Sequence, residues 1–250
     1  MPPSLHRALG GIGSATMGDV DYDAVFLDAG GVLVLPNVDV LADALATTGI
    51  ELQGDQEDLN RAHYVAMRAI DTAPTGPAPD YLAEILRAMG LGADALPAAT
   101  EALAVLTRIP ASKSWNVVLA GTLAGLRALE ATGVRLAVVS NSDGTVEDSL
   151  RDLGLCQVGE GSGVRMCVVI DSFVVEAHKP MPEIFSHALA AAGSRPERTL
   201  HVGDGVRYDV EGARAAGIAP MHFDPYRLCE MDDHPHVATL SALADGPGSA

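Results

Sequence analysis

Ala24-Val25-Phe26-Leu27-Asp28-Ala29-Gly30-Gly31 sets four apolar residues against one carboxylate and a pair of glycines. A short apolar run bounded by Asp23 and Asp28 reads as a strand buried on both faces, and Gly30-Gly31 stops it in a tight turn. Similar runs recur at residues 135–139, which lead into Ser140-Asn141, and at 167–170, 199–202 and 219–223. Helical patterns fill the intervals. Residues 119–132 close at Gly133, and 145–153 close at Gly154. Residues 182–192 open with a proline suited to a first helical turn and close at Gly193, while Asp209 is expected to N-cap 210–216. Apolar strands alternating with helices predict an α/β fold, a Rossmann-like doubly wound parallel sheet. In such sheets the reactive groups collect at the carboxyl ends of the strands.

One stretch breaks the alternation. From residue 37 to 114 the pattern is helical, with candidate helices at 40–47, 59–70, 81–89 and 100–107 and a proline-rich loop at 73–79 that no helix could cross. The expected organisation is an α/β core formed by 20–36 and 115–250, with an inserted helical subdomain at 37–114. Residues 1–19 are expected to form a tail, in which Met17 offers an alternative start, and 245–250 a terminal loop. The first eighteen residues lack the continuous apolar stretch of a secretory signal.

Composition narrows the function classes. Apolar residues make up 48% and charged residues 20% of the 250, a globular balance. No apolar run approaches the ~18–20 residues of a membrane span. The formal charge of -17 argues against a nucleic-acid partner, which would need a basic face. An anionic ligand would therefore need locally supplied positive charge, and only Lys113 and Lys179 are lysines. Cys156, Cys167 and Cys229 form no CxxC pair, so neither a zinc site nor a disulfide framework is expected. Three reduced thiols fit a cytoplasmic location.

Four segments carry the chemistry: Asp28 with its glycine turn; Ser140-Asn141 after the second core strand; His178-Lys179-Pro180 before a helix; and His201-Val202-Gly203-Asp204, followed by Asp209. Each alone is compatible with an ordinary turn. Their order and spacing together resemble the haloacid dehalogenase superfamily over about residues 20–225. The run Asp209-Val210-Glu211-Gly212-Ala213-Arg214-Ala215-Ala216-Gly217 is similar to that of its phosphatase-like branch. The resemblance implies that Asp28 is a nucleophile forming an acyl phosphate. It implies a magnesium ion held by Asp28, the Gly30 carbonyl and Asp204, with Asp209 as a further ligand or as an anchor behind them. Lys179 would neutralise charge, while Ser140 and N–H groups near Ala29, Gly30 and Asn141 would bind phosphoryl oxygens. The helical insertion would be a cap over a small phosphorylated metabolite, with His63 and Arg68 on a helix able to face the cleft.

The sequence departs from the family pattern at Gly30. The family's phosphatases usually carry an aspartate there, which protonates the leaving alcohol. Losing such a group typically costs ~10²–10⁴-fold. Three readings follow: a phosphatase with another proton source (water, His178 or a residue of the helical block) or a good leaving group; other superfamily chemistry; or a non-catalytic phosphometabolite-binding or interaction module. Within the second, Gly203-Asp204 disfavours dehalogenation, and Lys113 is the available lysine for an imine-forming phosphonate hydrolase. A phosphomutase would need the missing acid even more. Gly30→Asp is expected to raise the rate on poor leaving groups if no surrogate acid operates. Neither the particular metabolite nor the oligomeric state is written in these residues.

Overall fold

A computed structural model describes residues 22–73 and 78–244 of the chain. The expected tail, the alternative start and the terminal loop fall outside this range, as do residues 74–77 of the proline-rich loop. Strand β1 (Ala24–Leu27) is followed by β2 (Val34–Pro36) and then by helices α1 (Val38–Ala46), α2 (Gln56–Asp71), α3 (Tyr81–Ala88) and α4 (Leu96–Leu103). A 3₁₀ turn and the short α5 (Ala111–Ser114) lead to β3 (Trp115–Val118), which pairs antiparallel with β2. The helical block thus enters and leaves through one two-stranded ribbon.

The rest alternates. It comprises α6 (Thr122–Ala131), β4 (Arg135–Ser140), α7 (Val146–Asp152), β5 (Cys156–Val158), β6 (Val164–Met166), β7 (Val168–Asp171), α8 (Ser172–Val175) and α9 (Pro182–Ala192). Then come β8 (Thr199–Gly203), a π-helical turn (Val206–Val210), α10 (Glu211–Ala215), β9 (Ala219–Phe223), β10 (His236–Val237) and α11 (Leu240–Ala244). The main sheet has the order β10-β9-β8-β1-β4-β7 and is parallel throughout.

The alternation of β1 explains its central place. Val25 and Leu27 enter one core beside Leu126, Leu136 and Val202, whereas Ala24 and Phe26 enter the other beside Ile184, Phe185 and Ala213. All four are fully buried, as a central parallel strand requires. Deleting a buried aromatic such as Phe26 typically costs about 3–5 kcal/mol. A third core, with Leu41, Leu59, Ile85 and Leu103, holds the helical block together.

Two local expectations are corrected, and one strand pair is added. The helix expected at 119–132 starts at Thr122, because Trp115–Val118 pair with β2 and Gly121 reverses the chain at φ 83°. The strands β5 and β6 form a small parallel pair that the sequence did not signal. Asp209 is not an N-cap: it lies within the π-helical turn, where its N–H donates to the Gly205 carbonyl at 2.8 Å.

Candidate active site

Sheet register brings three of the four segments together. Leu27 pairs with Val138 on one side and Val202 on the other, so Asp28, Ser140 and Asp204 all lie at or just beyond the carboxyl ends of adjacent strands. The Asp28 N–H extends the ladder by donating to the Val202 carbonyl at 2.9 Å. The turn after Asp28 depends on Gly31, whose φ of 72° is left-handed and whose added Cβ would overlap the Asp204 carboxylate. Gly203 is constrained similarly, since a Cβ there would overlap Asp209. Each glycine lets a carboxylate approach the backbone.

Lys179 is the centre of charge. Its ammonium is buried and sits 2.7 Å from both Asp28 Oδ2 and Asp209 Oδ1. Asn141 fixes the lysine's backbone: its Oδ1 accepts from Lys179 N–H at 2.8 Å, and its amide donates to Lys179 C=O at 3.1 Å. The Asn141 side chain therefore holds the lysine in place. Ser140 is buried at the end of β4, opposite Asp171.

One carboxylate oxygen each from Asp28, Asp204 and Asp209 falls within 4.8 Å of the others, an all-oxygen set suited to a hard divalent cation. The three are not equivalent. Asp209 Oδ1 meets Lys179 and His201 Nε2 (2.8 Å), and its Oδ2 accepts from Gly205 N–H at 3.1 Å. Both its oxygens are engaged, which suits an anchor behind the site. Asp28 Oδ1 accepts from Ala29 N–H at 2.7 Å. Burial pushes the Asp28 carboxyl up to about 7; Asp209 and Asp204 add to this while Lys179 opposes it. Lys179 and His201 hold Asp209 well below the usual carboxylate range despite its burial.

The helical block reaches directly into this cluster. His63 of α2 is buried, with Nε2 2.8 Å from Asp204 Oδ2 and Nδ1 2.7 Å from the Tyr81 hydroxyl. Tyr64 donates to the Gly31 carbonyl at 2.6 Å. Trp115 packs edge-on to His63 and stacks on Tyr81. Its indole also fills the space beside Gly30: a Cβ there would lie 3.1 Å from the ring. Gly30→Asp therefore requires the Trp115 ring to give by a few tenths of an ångström, and whether the ring yields decides the sign of the change in rate.

Arg68 occupies the rim, paired with Glu230 at 3.0 Å and 42% exposed. It lines a cleft of about 250 Å³ with Tyr64, Met67, Asp71, Asp204 and His222. His178 and Lys113 are exposed, the first beside Lys179 and the second in α5. His201, Trp115 and Tyr81 were not recognised as site residues in the sequence. His201 was visible only as the first residue of the fourth segment, Tyr81 only as the start of a candidate helix, and Trp115 carried no signal.

The sequence model of haloacid dehalogenase-like hydrolases matches residues 22–217. Haloacid dehalogenase-like hydrolase domain-containing protein 3 of Bos taurus is 35% identical over 136 residues, 52% of this chain and 51% of that protein. The phosphoserine phosphatase of Thermus thermophilus is 37% identical over 92 residues, 37% of this chain and 34% of that protein. The chain thus spans about half or less of the length of these curated relatives. Among solved structures, a HAD phosphatase from Thermococcus onnurineus superposes with a TM-score of 0.54 and 20% identity, covering 87% of this chain and 94% of that one, which shows a shared fold.

Proposed function

Because the chain belongs to the haloacid dehalogenase-like hydrolases, we propose that it is a magnesium-dependent phosphatase acting on a small phosphorylated metabolite. The observation that carries this reading is the buried ammonium of Lys179, shared at 2.7 Å between Asp28 and Asp209 beside a third carboxylate. It keeps an attacking carboxylate next to the positive charge that a phosphoryl group needs in so acidic a chain. The match to a phosphoserine phosphatase supports the same reaction class.

In this reading residues 37–114 act as a cap on a core formed by 20–36 and 115–250. An Asp28 oxygen attacks phosphorus, the ester P–O bond breaks, and the alcohol departs with a proton. Water then attacks the aspartyl phosphate, releasing phosphate and restoring Asp28. Lys179 stabilises the charge on the transferred group, and Ser140 with the Ala29, Gly30 and Asn141 N–H groups binds its oxygens. Magnesium, held by Asp28, Asp204 and the Gly30 carbonyl, would supply further electrostatic stabilisation of the phosphoryl oxygens. We assign Asp209 to anchoring Lys179 and Arg68 to the substrate side of the cleft mouth.

His63 is the proton source we favour in place of the missing aspartate. It is a titratable side chain that the cap inserts beside Asp204, and Trp115 packs tightly against Gly30. The exposure of Lys113 weighs against imine chemistry. The acidic chain argues against a nucleic-acid partner, and no helix among the described residues is long and apolar enough to cross a membrane. Three free thiols suit a reducing, cytoplasmic setting. The test is phosphate release from a panel of small phosphate esters. We expect turnover that requires Mg²⁺ and is abolished in Asp28→Asn; turnover that survives either change rules the mechanism out.

A further inference from the structure

Beyond β8 the chain carries four metal-type donors that the hydrolytic chemistry leaves unused. His222 lies in β9, Cys229 in the following loop, and His234 and His236 at the loop's return into β10. One donor atom from each falls within 4.8 Å of all the others. The fold builds this convergence from two directions. Parallel pairing sets His236 opposite His222, and the Asp224 carboxylate accepts from the Leu228 and Cys229 N–H groups, both at 2.9 Å, to turn the loop back.

The protons identify what the cluster lacks. His222 Nε2 faces the Asp204 carbonyl at 3.0 Å, which calls for N–H there and leaves Nδ1 as a lone pair. His234 Nδ1 faces Asp233 Oδ1 at 2.7 Å, which calls for N–H there and leaves Nε2 as a lone pair. These two lone pairs meet at 3.1 Å. His236 Nε2 comes within 3.1 Å of the same His234 nitrogen, and Cys229 Sγ within 3.8 Å. The neutral His222 and His234 rings so arranged repel, and an imidazolium would place charge in a group only 6% exposed, as both are. A cation between them satisfies every lone pair at once.

The spacing matches a metal as well. Tetrahedral zinc with ordinary bond lengths would separate its nitrogens by about 3.3 Å and nitrogen from sulfur by about 3.6 Å. Outer support is present: Asp233, which orients His234, is held by Arg214 at 2.9 Å, the carboxylate–histidine arrangement common behind zinc ligands. Three imidazoles and a thiolate select zinc over magnesium, and four protein ligands close the coordination shell.

We propose that His222, Cys229, His234 and His236 form a four-coordinate structural zinc site that clamps the loop between β9 and β10. Through the second nitrogen of His222 the clamp steadies the Asp204 backbone. The proposal stands independently of the phosphatase reading.

The test is titration of the full chain with Co²⁺ in excess Mg²⁺, included to compete for the carboxylate cluster. One equivalent should bind with a thiolate-to-cobalt charge-transfer band, and one equivalent of Zn²⁺ should displace it. Cys229→Ser should lose the band, and His236→Gln should weaken binding by more than about tenfold. Circular dichroism identifies which variants are folded. Absence of bound cobalt in the unaltered chain, or unchanged band and affinity in either folded variant, overturns the proposal.

Discussion

At Gly30 the chain gives up a side chain and receives an indole. Trp115 opens the strand that follows the helical block, and its ring lies 3.1 Å from where a residue-30 Cβ would sit. The same ring braces His63, whose two nitrogens are committed to Asp204 and Tyr81. One ring thus packs beside both Gly30 and His63. If His63 protonates the leaving alcohol, His63→Gln should slow esters of poor leaving groups by about 10²–10⁴-fold. Activated aryl phosphates should be nearly unaffected. A uniform fall across leaving groups, with a raised Mg²⁺ requirement, would show instead that His63 merely orients Asp204. The sequence marked His63 as a residue able to face the cleft; it contained no signal for Trp115, because the contact spans the whole inserted block.

Among the elements, the π-helical turn Val206–Val210 matters most to the site. Its widened winding places Asp209 inward beneath Lys179, where an N-cap would have left it at the helix mouth. Asp71, the last residue of α2, accepts from the Val206 and Arg207 N–H groups, both at 2.9 Å, and so joins the helical block to this turn. Asp71→Ala should cost about 1 kcal/mol of stability, the usual size for a lost helix cap, read as a lower urea midpoint with unchanged slope. Turnover should fall with it. The core strands were legible because their apolar runs have the length and flanking turns of buried parallel strands. The π-turn was not, since a one-residue change in winding leaves the hydrophobic pattern almost untouched.

For the molecule as a whole, charge is the governing constraint. A chain of net charge -17 buries three carboxylates around one lysine, and the balance raises Asp28 to about 7. An acid whose folded value lies above its unfolded value favours the fold while protonated, so that stability is lost as pH rises through about 7. Without divalent cation, melting temperature should therefore decline between about pH 4 and 7 and level off above. A bound cation draws Asp28 back toward its anion. The acid limb of kcat/KM, along which activity falls about tenfold per pH unit, should move to lower pH as Mg²⁺ is raised. A limb fixed at one pH at all Mg²⁺ concentrations would assign it to another group.

The sequence alone determined the parallel α/β core, the helical insertion and the candidate residues Asp28, Ser140, Lys179, Asp204 and Asp209. These follow from short-range patterns: apolar runs, turn glycines and polar residues at strand ends. Only the tertiary structure decided how the cluster is wired. It committed both oxygens of Asp209, turned Asn141 onto the lysine backbone and filled the space beside Gly30 with Trp115. It also gathered His222, Cys229, His234 and His236, although the cysteine spacing gave no sign of a metal site. The physical reason is common to all four. Each depends on which atoms meet across distant segments, and that is set by strand register and packing rather than by any local pattern.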